Sequence, residues 1–135
     1  MSAAKALQAA IFARLSGDAA LVALLGPGRI RDRLLEREER PMLALLEIES
    51  RDWSTSTEPG EEHVVSIEAR SGEGGHRLVQ EIAACVRLAL HDATLVLAGH
   101  KLVNLRLERT KTARDAAAQG HVAAMQFRAV TEPWP

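Results

Sequence analysis

The stretch MLALLEIESRDWSTSTEPGEEHVVSIEAR, residues 42–70, decides the fold. Met42, Ala44, Leu46 and Ile48 place an apolar face on its first part, with Glu47 and Glu49 marking the other face. From His63 to Arg70 the alternation returns, Val65, Ile67 and Ala69 against Ser66, Glu68 and Arg70. A period of two with this aliphatic content predicts two strands. Residues 51–62 between them are rich in serine, threonine, proline and glycine, so the strands form a hairpin. That hairpin contains Trp53, one of only two tryptophans. Counting alternate positions from Leu45 puts Trp53 away from Met42, Ala44, Leu46 and Ile48, although a one-residue bulge would reverse the face. The ring reads equally as a clamp on its own hairpin and as an anchor for a neighbouring subunit.

Before this hairpin, Leu7, Ile11 and Leu15 recur every four residues with Ala10 beside them, predicting a helix over 3–16. Gly17 closes it, Asp18 caps a short second helix over 19–25, and the GPG at 26–28 stops the chain turning further. Residues 29–41 alternate arginines with acids, Glu36 and Arg40 standing four apart. They read first as a solvated connector or short exposed helix, with a charged rim that pairs with a neighbouring subunit as the sharper alternative.

After the hairpin, the glycine-rich residues 71–75 lead into a long helix on which Leu78, Ile82, Val86 and Leu90 line up, joined by Val79 and Ala89. His91, Asp92 and Ala93 end it. TLVL and KLVNLRLERT then flank the turn AGHK at 98–101 as a second hairpin, with Val103, Leu105 and Leu107 inward. A polar, alanine-rich loop over 111–120 precedes a last strand over 121–131 with Met125, Phe127 and Ala129 on one face, and this loop is expected to project as an arm. The order helix, helix, strand, strand, helix, strand, strand, strand predicts a single α+β domain over 1–135. Its sheet should be largely antiparallel, of about five strands, with helices packed mainly on one face.

Composition narrows the function. The chain of 135 residues can remove roughly two-thirds of its unfolded surface from water. Seventeen Lys and Arg against eighteen Asp and Glu argue against a dedicated nucleic-acid or membrane-surface binder. The amino-terminal stretch reads as neither a signal nor a membrane span, so the cytoplasm is the expected location. Cys85 is the only cysteine, which excludes an internal disulfide, and it reads as a small core residue.

None of the five histidines, 63, 76, 91, 100 and 121, lies within four residues of another, so they read as surface or cap residues rather than metal ligands. The run SGEGGHR lacks the spacing of a phosphate-binding loop. Without a catalytic, metal or cofactor constellation, the expectation is a protein that is not an enzyme.

With these elements in place, AALVALLGPGRIRD, RDWSTSTEPGEEH, GGHRLVQEIAACVRLALHDATLVLAGHKLVNLRLER and GHVAAMQFRAVTEP carry a resemblance. The chain resembles the tail-completion proteins of long-tailed phages and gene transfer agents, the group that includes tail terminators, and is most similar to the gene-transfer-agent branch. The Asp52-Trp53-Ser54-Thr55 turn, the Leu90-His91-Asp92 helix end and the closing FRAVTE are its most specific parts. The segment from Arg33 to Arg40 is more charged than the family pattern, and Met42 stands where an aromatic residue is common.

The resemblance implies a structural protein of the particle, a homo-oligomeric ring of six subunits on the head-proximal end of the tail tube. There it stops tube growth and offers a docking surface to the head-tail connector, or stopper, protein. DNA would pass through the lumen without specific binding, and neither membrane nor cofactor is implied. The location becomes the producing cell's cytoplasm during assembly and then the tail neck. Subunit or tube contacts would fall on Trp53, Ser54, Thr55, Thr57 and Glu58, on Arg37 and Arg40, and on Lys111, Arg114 and Asp115. A connector of the same particle and a small hydrolase or ligand-binding α+β domain are the competing readings.

Overall fold

The computed structural model describes residues 2–32 and 40–134. Two capped helices open it. Helix α1, Ala3–Ser16, starts where the Ser2 hydroxyl accepts the Lys5 N–H at 3.1 Å, and buries Leu7, Ile11 and Leu15 along one stripe. Helix α2, Ala19–Leu25, starts where Asp18 Oδ1 accepts the Leu21 N–H at 2.9 Å and ends at Gly26, whose φ of 89° favours glycine. The GPG turn leads into strand β1, Ile30–Arg31, which pairs in parallel with Leu43 and Ala44.

Strand β2, Met42–Asp52, and strand β3, Glu61–Gly72, form the expected antiparallel hairpin. Helix α3, His76–Leu90, crosses the sheet and buries Val79, Ile82, Ala83, Val86, Ala89 and Leu90. Short strand β4, Val96–Leu97, turns through Gly99 into β5, His100–Asp115, and β6, Gly120–Pro133, returns between β5 and β3. The sheet order is β1-β2-β3-β6-β5-β4, mixed because β1 alone runs parallel to its neighbour. One core joins Leu7, Ile11 and Leu15 of α1 to the α3 stripe and to Leu43, Ile67, Leu105 and Phe127 of the sheet.

The architecture is α+β as expected, with six strands rather than about five. The sixth is β1, inside the segment read as a connector or exposed helix; the Glu36 part of that segment, residues 33–39, lies outside the described residues. Three further corrections come from bulges or from pairing partners. Leu46 is an extra residue in β2, so Leu43 and Leu45 face the helices together with Ile48, while Met42 and Ala44 are buried on the opposite face. A bulge at Val103 turns that side chain outward, 46% exposed, and Leu102 takes the inward place. Residues 111–115 and 120 are not loop: each is paired in the β5–β6 ladder, leaving only a turn at 116–119.

Gly120 permits this close seating, because a Cβ there would run into the Ser71 carbonyl. Arg40 crosses the same junction, its Nη1 donating to the Ser71 carbonyl at 3.2 Å.

Phe127 is fully buried between β5, β3 and the helices, so Phe127→Ala should cost about 3–5 kcal/mol in a urea titration. Thr110→Ala, at an exposed β5 position, should stay within about 0.5 kcal/mol.

Candidate functional site

Because the described helices lie on one face, the alternate residues of the central strands form a second face that these helices do not cover. The bulge at Leu46 sets its membership on β2: Glu47, Glu49, Arg51 and then Trp53 share that side. Arg51 faces Glu62 across the β2–β3 pair, and Arg128 of β6 is diagonal to Glu62. Glu62 is 7% exposed, and its two carboxylate oxygens each accept a guanidinium Nε–H at 2.5 Å, Oε1 from Arg51 and Oε2 from Arg128. The Arg51 hydrogen bond first, and the Arg128 hydrogen bond next, hold the Glu62 carboxyl below its ordinary value of 4.5 against the opposing effect of burial.

The Trp53 ring closes this bridge. The Arg51 and Arg128 guanidinium carbons lie 4.9 and 5.2 Å from its centroid, so two cations already fixed by one carboxylate also stack on the indole. Trp53 is a clamp within its own chain, and it still leaves 46% of its surface exposed.

Residues 53–60 form a built turn. Trp53 N–H donates to the Gly60 carbonyl at 2.9 Å, and Thr55 N–H to the Glu58 carbonyl at 2.8 Å. Ser54 Oγ donates to Asp52 Oδ1 at 2.6 Å, and Thr55 Oγ1 accepts the Glu58 N–H at 2.9 Å. Ser54 and Thr55, read as contact residues, thus spend their hydroxyls on the turn, while Thr57 and Glu58 stand exposed. Beside the turn a cleft of about 280 Å³ is lined by Trp53, Val103, Asn104, Arg128 and Val130. The buried Asn104 Oδ1 has no hydrogen-bond partner.

The remaining candidates lie at the other end of the sheet, which β3's twelve residues separate from the turn by roughly 36 Å. Arg114 bonds Glu73 at 3.1 Å, Asp115 Oδ1 caps the turn by accepting the Ala118 N–H at 3.2 Å, and Lys111 is exposed. Arg40 joins this end, and Arg37 lies outside the described residues. The expected contact residues therefore form two groups, not one site.

Sequence reasoning missed the Arg51–Glu62–Arg128 bridge, because only the β3–β6 pairing brings Arg128 in. His63 is also a correction to the surface reading. It is fully buried, with Nδ1 2.6 Å from the Ser50 hydroxyl and Nε2 2.8 Å from the Thr131 hydroxyl. His91 does serve the helix end, its Nδ1 accepting the Leu107 N–H at 2.9 Å. Among the described residues no group of three metal-binding side chains gathers. A wider groove between α1 and β1, about 740 Å³, is lined among the described residues by Lys5, Gln8, Ala9, Phe12, Ile30, Arg31 and Asp32, none of which carries a hydroxyl, thiol or imidazole.

The sequence profile of the family described as tail completion protein gp17 matches residues 9–132. A chain in a solved structure of the virion of a native gene transfer agent (GTA) particle superimposes with a TM-score of 0.87 at 32% identity. The match covers 97% of this chain and 98% of that one. No curated protein sequence matches.

Burial lowers the His63 pKa below 6.5, reinforced by His100 and opposed by Glu61 and Glu62. The unfolded chain therefore takes its proton first. The stability that neutral His63 contributes is complete above pH 6.5 and is lost as pH falls from there through the folded value. Glu62 adds a second loss as pH falls below 4.5. Thermal melts across this range should show both declines, with the first reduced in His63→Gln and the second in Glu62→Gln.

Proposed function

The chain belongs to the tail completion protein gp17 family, and from that premise we propose that it is a tail terminator of a gene-transfer-agent-type particle. It forms a ring, of six subunits in the family's pattern, on the head-proximal end of the tail tube. The ring stops addition of tube protein and presents a docking surface to the head-tail connector. The observation that carries this reading is the near full-length likeness to a chain of a GTA virion at 32% identity.

The mechanism is association rather than catalysis. Subunits that meet head to tail exhaust their interfaces when the ring closes, and one annular surface is left for the tube end. Rigid contact elements suit this task, since a turn already ordered in the free subunit loses little freedom on binding. The 53–60 turn has that character, held by its own hydrogen bonds and by Trp53 stacked on two arginines. The near balance of 17 basic and 18 acidic residues suits a channel that passes DNA without holding it through counterion release. The subunit would assemble in the cytoplasm and finish in the tail neck.

Producing cells lacking this chain should make tails of uncontrolled length, measured by electron microscopy. Tails of regular length that fail to join heads would instead assign the chain to the connector. Trp53→Ala should cost the free subunit about 1 kcal/mol through the lost cation–π contacts and also lower the yield of completed tails. A melting temperature that falls with an unchanged tail yield would confine Trp53 to its own chain.

A further inference from the structure

Two stretches of strand edge are left without a partner among the described residues. β1 pairs only with Leu43 and Ala44, so the outer edge of β2 is open beyond its bulge, over 47–52. β4 pairs only with His100 and Lys101, and the helix end covers the next part of β5, where Asp92 N–H bonds the Leu105 carbonyl and His91 accepts the Leu107 N–H. Past the Glu108 bulge, residues 109–115 are regular strand with an open outer edge. Open edges of this length are templates for another strand.

We infer that these two edges pair with each other between neighbouring copies, β2 of one subunit against β5 of the next, as the ring interface of the function proposed above. Direction supports it. Each of β2–β3, β3–β6 and β6–β5 is antiparallel, so β2 and β5 run oppositely, and a copy set beside another with its helices on the same side presents β5 antiparallel to β2.

Charge selects the occupant. The β2 edge carries Glu47, Glu49 and Asp52, with Arg51 already engaged by Glu62; the β5 edge carries Arg109 and Lys111, with Arg114 already engaged by Glu73, and Glu108 and Asp115. Like edges from two copies would set carboxylate against carboxylate, or cation against cation, which is destabilising. Unlike edges set opposite signs together, which makes the contact heterologous and able to close a ring.

The pairing also has a register. Glu47 and Glu49 lie on the face away from the helices, as do Arg109 and Lys111, whose β6 partners are Gln126 and Ala124. Within one subunit Lys111 is level with Ala44, through Ala124 and Glu68. Sliding the neighbour about four rungs, roughly 13 Å, along the strand brings its Lys111 opposite Glu49 and its Arg109 and Lys111 diagonal to Glu49 and Glu47, while its Arg109 stands opposite Arg51, whose charge Glu62 already offsets. It also moves all of the neighbour's β5 except Asp115 clear of the part of β2 that β1 covers. A fixed stagger at every interface tilts the strands against the ring axis, as closure of a strand assembly requires.

The test uses particles made in producing cells. With Glu49→Cys and Lys111→Cys in one chain, a short bis-maleimide should give a ladder of crosslinked multimers, and each single variant should give none, which also controls for Cys85. The pair Glu47→Lys, Glu49→Lys and the pair Arg109→Glu, Lys111→Glu should each reduce completed tails at least tenfold, and the fourfold variant should restore them.

A ladder from either single variant, unchanged tail completion in the reversed pairs, or no ladder from particles with normal tails would overturn the edge pairing. If the cysteine chain yields no particles, the reversed pairs and their restoration decide alone. A normal tail-length distribution without this chain would instead sink the terminator reading and leave the ladder result standing.

Discussion

The fold depends on the seating of β6 between β3 and β5. Its inward row, Ala123, Met125, Phe127 and Ala129, is fully or nearly fully buried, and it joins the amino-terminal hairpin to the carboxy-terminal one through twelve rungs with β3. Without it, β2–β3 and β5 would be separate ribbons, and isolated hairpins are at best marginally stable. The same seating fixes which side each functional group occupies. Arg128 reaches Glu62 because β6 lies beside β3, and the Arg51–Glu62–Arg128 bridge with its tryptophan cover exists only as a product of that register.

Much of this was legible from residue types and periods. The three helices follow their apolar stripes, and Gly17, Asp18 and the GPG turn mark the boundaries of α1 and α2, because capping is a local matter between a side chain and the next turn; α3 starts at Gly75 without a side-chain cap and ends at His91. The 42–70 hairpin and the inward row of β6 followed from alternation. The bulges at Leu46 and Val103 did not, since a run such as MLALLEIE fits either face until a partner strand sets the register. The polar, alanine-rich 111–115 read as loop because an edge strand needs few apolar residues, and β1 is too short to leave a period. Of the candidate site, Trp53 and its exposure were foreseen; its two cationic partners were not both foreseeable, one being 75 residues away in sequence.

The two ends of the sheet carry different tools. One has an ordered turn with a half-exposed indole over a buried ion bridge; the other has a tight turn bordered by Lys111, Arg114 and Arg40. A subunit with distinct ends and unlike open edges suits an assembly in which each copy meets its neighbour by a different surface on either side. In the function proposed above, such an assembly would leave its annular faces free for the tube and the connector.

The most direct measurement of the central claim is electron microscopy of particles whose copies of this chain carry a compact tag after Trp134. The account predicts tag density as a single closed ring at the head-proximal end of each tail tube. Density spread along the tube, or confined to the capsid with none at the tube end, would contradict it.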